Sequence, residues 1–471
     1  VDTAKLAAMS TLGEIMEFSN NSFNIYEGGV SEDSRKKFLS SGKIFRYIVS
    51  RGPITDNGFG LTCWGNGAPL FILADDKGIA KELEKLFNKV KIKTSIVSKL
   101  PDNATHIINL EGLNSFEGFS IEQILESNKA SFDVANQCGK KLFDGSGCLI
   151  LPFDNGLSNP KSYDRAWSGG ISALAKTAKL EWPEAEVLSL NIDTWKKAPK
   201  KIASELFAAI TSGGKVTEIE IDTKGNNYQL LSTVAGIEDQ SRSLNDGDSI
   251  IVSGGAKGVT AACLISLSER KKLNIGILGR TLLENELEYL KEFKTDGELK
   301  GAVFQQAIKN GLKITPIEVN NIVSKTFSNR EIQETLEILR KNGSKVNYIS
   351  VDISSKTKVT KAVNQLRKEF GSIQGIIHAA GVLADKYIHE KTAEQFNKVF
   401  ATKIAGFINM LEATANDKLT HICCFSSVAA RMGNVGQVDY AMANEVLNKV
   451  CQAEQLKRKK TCLVKSLNWG P

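Results

Sequence analysis

No apolar run in this 471-residue chain approaches the ~18 residues of a membrane-spanning helix, so no span is expected. Histidine is scarce, with four in all and each far from the next. The eight cysteines include the adjacent pair Cys423-Cys424 but no CxxC, so no metal-site spacing appears. They read as small buried apolar residues of a reducing cytoplasm. Only 9 prolines stand against 39 glycines, and 42% of residues are hydrophobic and 24% charged. That balance excludes a collagen-like or largely disordered chain. Basic clusters interleaved with aromatics are also missing, so the net charge of +7 does not point to nucleic acid. Lysines alternate instead with acids, as in Lys81-Glu82-Leu83-Glu84-Lys85, the pattern of a solvated helix face. Docking of an acidic protein partner stays open on charge alone. Val1 to Phe18 lacks the basic and apolar regions of a secretory signal. Val1 is not a start methionine, and the chain stops at Trp469-Gly470-Pro471 just after an apolar run. The sequence therefore reads as a segment of something longer.

What is present is a regular alternation. After a short helical tail over 1–18 comes a polar stretch from Asn20 to Gly60 with little periodicity. Short apolar runs then read as buried strands at Leu70–Ala74, Thr94–Val97, His106–Leu110, Cys148–Leu151 and Val187–Ile192. Between them lie helical patterns at Ile79–Val90, Ile121–Cys138 and Arg165–Leu180. Strands alternating with helices predict a parallel sheet covered on both faces. A polar stretch at Leu244–Asp248 ends this half and the pattern restarts. Strands are expected at Ser249–Ser253, Ile275–Leu278, Val346–Val351, Gly375–His378, His421–Phe425 and Cys462–Leu467, with a helix from Gly258 to Glu269. Ser189-Leu190-Asn191 closes one half and Ser466-Leu467-Asn468 the other. The fold class expected is α/β: two tandem Rossmann-like, doubly wound parallel-sheet subdomains. Residues 281–345, helical by pattern at Glu331–Lys341, form an insertion between two strands of the second copy.

Ser253-Gly254-Gly255-Ala256-Lys257-Gly258-Val259-Thr260 sits where a strand turns into a helix. Glycines there let the backbone approach a pyrophosphate, and the helix N-terminus offers unpaired N–H groups and the positive dipole end. A plain tight turn would also account for the glycines. The strand–turn–helix context favours the phosphate loop, although Thr260 replaces the last glycine of the usual fingerprint. The next strand ends in Gly279-Arg280, 22 positions past Gly258, where an acid would bind the ribose 2′-OH of NAD. A cation there suits the 2′-phosphate of NADP, with Lys257 adding charge; the competing reading is a surface arginine. Asp352, followed by Ile353, is placed either to accept from an adenine amine or to cap a helix. Ala379-Ala380-Gly381 forms a small-residue turn towards the cofactor, and His378 before it reads as a packed, hydrogen-bonded residue.

Ser427 follows the strand ending at Phe425, and Tyr440 comes thirteen residues later. Asn444 lies four beyond Tyr440 on the same helix face. Lys403 precedes Tyr440 by 37 residues on the helical pattern Phe396–Leu411. A phenol, with an ordinary pKa of about 10, needs a nearby ammonium to serve as an acid–base group near neutrality. Tyr440 would then protonate a carbonyl oxygen as hydride arrives, Ser427 would hold that oxygen, and Asn444 would fix the lysine directly or through water.

These residues carry a resemblance. Residues 246–471 resemble the catalytic half of a ketoreductase from a type I polyketide or fatty acid synthase, a short-chain dehydrogenase/reductase. The matching segments are SGGAKGVT, ILGRT, HAAGVLADKYI, FNKVFATKIAGF, CCFSSVAARMGNVGQVDYAMANEVL and SLNWGP. The family's catalytic Lys, Ser, Tyr and Asn fall on Lys403, Ser427, Tyr440 and Asn444. Other reductases of the wider group carry Tyr-x-x-x-Lys; here Asn444 takes that lysine's place and Lys403 serves from another helix. The first half resembles the structural subdomain that precedes such ketoreductases, a degenerate copy without cofactor. No Gly-rich loop follows its first strand, where Asp75-Asp76-Lys77-Gly78 stands. Sliding the halves by the shared Ser-Leu-Asn puts Tyr163, Trp167 and Glu126 opposite Tyr440, Asn444 and Lys403.

The insertion and the SGGAKGVT loop narrow the resemblance to bacterial polyunsaturated fatty acid synthases. Ala8 to Ile15 resembles the last helix of an acyl carrier domain. The expected division is thus a carrier-like tail over 1–18, a structural subdomain over 19–245 and a C-terminally truncated catalytic subdomain over 246–471. The resemblance implies NADPH-dependent reduction of a 3-oxoacyl thioester on an acyl carrier protein, through its phosphopantetheine arm. Other synthase domains would be partners, and neither nucleic acid nor membrane. Asp385 keeps the last position of a motif that marks R-hydroxyl formation, and Met432 is not the tryptophan of the opposite class. The alternatives are the ketoreductase of an ordinary type I polyketide synthase and a non-catalytic, cofactor-binding scaffold.

Overall fold

The computed structural model describes residues 46–54, 64, 67–115, 120–212, 216–235 and 243–470. The carrier-like tail over 1–18 lies outside the described residues, as does most of the stretch from Asn20 to Gly60.

The backbone builds the expected pair of doubly wound sheets. In the second half, β9 (Ser249–Ser253), β10 (Asn274–Gly279), β11 (Lys345–Ser350), β12 (Gly375–His378), β13 (His421–Ser427) and β14 (Leu463–Trp469) form one sheet. Its order is β11-β10-β9-β12-β13-β14, parallel throughout. Strand order reverses between β9 and β12, so the crevice for a ligand opens at their carboxyl ends. Every residue of β9 is buried, as its uninterrupted apolar run requires for a strand covered on both faces.

The first half repeats this plan with β2 (Leu70–Leu73), β3 (Thr94–Val97), β4 (His106–Ile108), β5 (Cys148–Phe153), β6 (Glu186–Ile192) and β7 (Glu218–Ile221). Here β2 occupies the place of β9, and the order β3-β2-β4-β5-β6-β7 lacks a counterpart of β11. Two antiparallel strands extend the edge: β8 (Asn227–Ala235) and β1 (Arg46–Pro53). The sequence reading placed no strand at β1. Tyr47, Ile48 and Val49 are all exposed there, so no alternation marks the strand. Its ladder partner, Ala235 opposite Arg46, lies far along the chain.

The helix expected over Arg165–Leu180 is broken. A 3₁₀ segment, Pro160–Ser168, is followed by α3, Ile171–Glu181. The break at Gly169-Gly170 lies against helix α11 (Val438–Arg458) of the second half. A Cβ on Gly169 would come 2.8 Å from Lys449 Cγ, and one on Gly170 would come 3.1 Å from Met442 Cβ. The remaining helices are α1 (Ile79–Lys89), α2 (Ile121–Asp144), α4 (Pro199–Ser212), α5 (Gly258–Arg270), α6 (Asp296–Lys309), α7 (Pro316–Lys341), α8 (Lys356–Phe370), α9 (Ala393–Ala413) and α10 (Val428–Met432). None among the described residues is long and apolar enough to cross a membrane.

The two halves pack through equivalent helices, α2 on α9 and α3 on α11, around one continuous core. Phe132 stacks on Phe396 with ring centroids 4.4 Å apart. A buried ionic cluster crosses the same interface. Glu218 Oε2 meets Arg431 Nη1 at 2.6 Å and Lys176 Nζ at 3.2 Å, and Lys449 Nζ meets Glu445 Oε1 at 3.1 Å. Burial alone would raise the Glu218 pKa, but Lys176, Arg431 and Lys449 hold it well below the usual carboxylate range. Replacing Glu218 by alanine strands two buried cations, and chemical denaturation should register a loss of about 3–5 kcal/mol. A loss under about 1 kcal/mol would mean that water already reaches these charges.

Candidate active site

The glycine-rich turn expected to hold a phosphate follows from β9. At Gly254 the backbone takes a φ of +72°, and a Cβ there would lie 3.1 Å from Ala380 N and Cα. Only glycine satisfies both conditions, and its absent side chain leaves a cradle between the ends of β9 and β12. A Cβ on Gly255 would come 2.5 Å from Val252 Cγ1, so the turn folds back onto its own strand. Ala256 is buried, whereas Val259 is exposed at the opening of α5.

Ser253 is fully buried beneath this turn. Its hydroxyl is 2.8 Å from His378 Nδ1 and accepts from the N–H groups of Ala379 and Ala380 at 3.2 and 3.3 Å. The Lys403 carbonyl, 2.8 Å from His378 Nε2, can only accept. Nε2 therefore carries the proton, and the Ser253 hydroxyl donates to Nδ1. Burial pushes the His378 pKa down to about 3, so the ring is neutral. Ser253 and His378 thus tie β9, β12 and α9 together.

At the start of α5, Lys257 holds the N-cap position and Gly258 has a φ of +58°. Two residues of the insertion helix α7 reach this corner, which sequence reasoning did not foresee. Glu331 Oε1 accepts from the Gly258 N–H at 2.9 Å, and Lys257 Nζ donates to Ser328 Oγ at 3.1 Å. Nothing local in the sequence signals a contact across that separation.

Gly279 is closed in by Tyr348, whose Oη would lie 2.5 Å from a Cβ. Arg280, at the end of β10, is exposed on the same edge of the sheet as the loop. Asp352 does not cap α8, because Ser355 holds that position. Its Oδ1 accepts from Ser354 Oγ at 2.7 Å and Ser354 N at 3.0 Å, and those bonds lower its pKa. Ile353 is buried in the core, its carbonyl accepting from Asn409 Nδ2 at 3.0 Å.

The corresponding corner of the first half is built differently. Asp75 Oδ2 accepts from Lys77 N and Ile79 N, each at 2.9 Å, and Oδ1 from Ala80 N at 2.7 Å. The chain's own carboxylate fills the N-terminus of α1, where a phosphate would have to sit.

Three elements carry the residues expected to perform the acid–base chemistry. From α9 comes Lys403, 2% exposed, with Nζ donating to the Phe425 carbonyl at 2.9 Å. Its ammonium lies 5.5 Å from the centroid of the Tyr440 ring. Burial lowers its pKa to about 8. From the end of β13 comes Ser427, whose Oγ caps α10 by accepting from Ala429 N at 3.1 Å. From the first turns of α11 come Tyr440 and Asn444. Asn444 Nδ2 donates to the Tyr440 carbonyl at 2.8 Å, while Oδ1 is buried with no partner among the described residues. Gly381 closes the gap to β12, since a Cβ there would lie 3.2 Å from Lys403 Cε. Asp385, on the loop beyond, accepts from Gln437 Nε2 at 3.0 Å. In the first half, Tyr163 and Trp167 lie on the 3₁₀ segment instead of an α-helix, and Trp167 is buried 6.0 Å from Phe407.

The Gly254 cradle, the opening of α5 and the orphaned Asn444 acceptor together fit a dinucleotide lying across the carboxyl ends of β9 and β12.

Residues 249–471 match the family model for the KR domain. Over 352 residues the chain is 31% identical to a polyunsaturated fatty acid synthase polypeptide of a Thraustochytrium species. That match takes in 71% of this chain and 12% of the relative, so the chain spans about an eighth of its length. Polyketide synthase PksL of Bacillus subtilis is 37% identical over 116 residues, 25% of this chain and 3% of that protein. Among solved structures, a ketoreductase domain from the bacillaene assembly line superposes with a TM-score of 0.62 at 17% identity, covering 90% of this chain and 84% of that one. An N-terminal ketoreductase from the macrolactin assembly line gives 0.65 at 16% identity, covering 97% and 88%. These structural likenesses speak to the fold. The family match and the similarity to synthase polypeptides identify residues 249–471 as a KR domain, the ketoreductase region of a type I synthase.

Proposed function

We propose that residues 246–471 reduce a 3-oxoacyl thioester to the 3-hydroxyacyl thioester, using NADPH, on an acyl carrier protein domain. The setting is a cytoplasmic multidomain synthase of the polyunsaturated fatty acid or polyketide kind, whose other domains are its neighbours. The observation that carries this reading is the approach of Lys403 to the Tyr440 ring and to the Phe425 carbonyl, two residues before Ser427, with Asn444 bonded to the Tyr440 carbonyl, close to the Gly254 cradle.

NADPH, when bound, supplies the hydride for the carbonyl carbon. The Ser427 hydroxyl holds the substrate's carbonyl oxygen, and the Tyr440 hydroxyl delivers the proton to it as the C–O bond becomes single. The Lys403 ammonium stabilises the phenolate left on Tyr440. Asn444, with its buried acceptor, holds the water that returns a proton towards Lys403 and Tyr440. NADPH is favoured over NADH by two cations, Lys257 at the N-cap of α5 and Arg280 just past β10. Asp385 and Met432 favour the R-hydroxyl product. Residues 19–245 serve as a structural partner, and the Asp75 carboxylate supports their lack of a nucleotide. The insertion over 281–345 favours the polyunsaturated fatty acid synthase setting.

Loss of NADPH absorbance with a β-ketoacyl thioester tests the assignment. Tyr440→Phe should lower kcat by roughly a hundredfold or more while NADPH binding persists. A wild type that binds NADPH but never oxidises it with any acyl thioester would leave only a scaffold. The lysine gives a pH test. Its ammonium is present below about 8 and is lost as pH rises through that value, so kcat should fall on the alkaline side. A profile flat well above that pH would remove Lys403 from the mechanism. Gly254→Val places a β-branched side chain at positive φ against the Ala380 backbone. Fluorescence titration should show NADPH affinity falling by roughly a hundredfold or more in a chain that remains folded.

A further inference from the structure

We propose that Glu181, a residue of the first half, is a positioning residue for the chemistry of the second. Its carboxylate pins the loop that carries Asp385 to the turn from which the Tyr440 helix starts. The catalytic part of this proposal rests on the reductase reading; the clamp itself rests on geometry.

Glu181 is the last residue of α3 and is 3% exposed. One oxygen, Oε2, accepts from the N–H of Ile388 at 2.7 Å. The other, Oε1, accepts from the N–H of Gly436 at 2.9 Å. Ile388 belongs to the loop between β12 and α9, three residues beyond Asp385. Gly436 belongs to the turn before α11, four residues ahead of Tyr440. One buried group of the structural half therefore fixes the separation of two segments that border the reaction.

Neighbouring bonds extend the same seam. The Lys386 N–H donates to the Gly436 carbonyl at 2.9 Å, and Gln437 Nε2 donates to Asp385 at 3.0 Å. Lys391 and Asp439 form a pair at 2.9 Å with both side chains at or near zero exposure, and Lys391 also donates to the Ala384 carbonyl. From the first half again, Asn136 Nδ2 holds the carbonyls of Ile388 and Lys391 at 2.6 and 3.0 Å. The turn lies flush on α3. A Cβ on Gly433, where φ is +75°, would come 2.7 Å from the Lys176 and Thr177 backbone.

A carboxylate is a costly way to glue two halves together, because burial disfavours its charge. Burial in fact raises the Glu181 pKa to about 7, although two N–H groups and Lys391 pull it down. Apolar contacts would serve mere adhesion better. Two acceptor oxygens in a fixed fork add something adhesion does not, a set distance between the donors. That distance governs where the Asp385 loop stands relative to the Tyr440 hydroxyl, and so which face of a ketone meets the acid. Misplacement by a fraction of an ångström is enough to alter such selection.

The test compares Glu181→Gln with the wild type. An amide keeps one acceptor and turns an NH₂ group towards the other N–H. Hydrogen exchange at the Ile388 and Gly436 amides should accelerate roughly tenfold, with the phosphate-loop amides unchanged. NADPH affinity should hold, while KM for the thioester and the fraction of minor 3-hydroxy stereoisomer each rise roughly tenfold. Wild-type exchange at both amides would overturn the clamp. Faster exchange with an unaltered KM and product ratio would overturn the positioning role. If Glu181→Gln does not fold, Asn136→Ala loosens the same loop and must show the same changes; wild-type values there overturn the proposal. A wild type that never turns over, with exchange still faster in the variant, would sink the reductase reading while supporting the clamp.

Discussion

A helix that starts at the end of a buried parallel strand presents its N–H groups and positive dipole end to whatever lies in the crevice. Such a corner attracts an anion. The two halves of this chain meet the constraint in opposite ways. In the first, Asp75 turns its carboxylate onto the N–H groups of Lys77, Ile79 and Ala80, the last two in α1, and fills the corner. In the second, the turn from Gly254 to Gly258 carries no such side chain, and the space kept by Gly254 opens beside Ala380. The contact from outside that the structure records there is Glu331, which takes the Gly258 N–H. Everything else in the second half is arranged around that corner. Ser427 stands at the end of β13 and Tyr440 in the first turn of α11, while Lys403 approaches the Tyr440 ring from the middle of α9.

The first half packs against the helix of the second that carries Tyr440. Helix α11 carries Tyr440 and Asn444 on one side and Glu445 and Lys449 on another, and the latter lie in the buried ionic cluster with Lys176, Glu218 and Arg431. Replacing buried charges by apolar groups often strengthens a fold, so such a cluster is better understood as specifying an arrangement than as adding stability. It fixes how α11 lies on α3, and Glu181 at the end of α3 then fixes the entry to α11.

What the sequence made legible was local. The strand–turn–helix at Ser249–Glu269 and the spacing of Ser427, Tyr440 and Asn444 lie within single short segments, where strand and helix periodicity can be read directly. Lys403 came from a separate helix, and resemblance supplied its role. Features created by distant packing left no such trace. Strand β1 exists through its ladder to β8, and its exposed Tyr47, Ile48 and Val49 show no alternation. The pattern over Arg165–Leu180 predicts one helix, yet close approach of α11 at Gly169 and Gly170 splits it. Asp75, Glu181 and Glu331 are single acids of ordinary kind, and only the fold reveals which backbone N–H groups they meet.

We propose that one of two similar folds is open to a nucleotide and that the other is closed by its own carboxylate. Calorimetric titration of the chain with NADPH measures this directly, through the number of molecules bound. The account predicts one NADPH per chain. Two per chain would mean that Asp75 does not close the first half, and none would mean that the Gly254 cradle is not a nucleotide site.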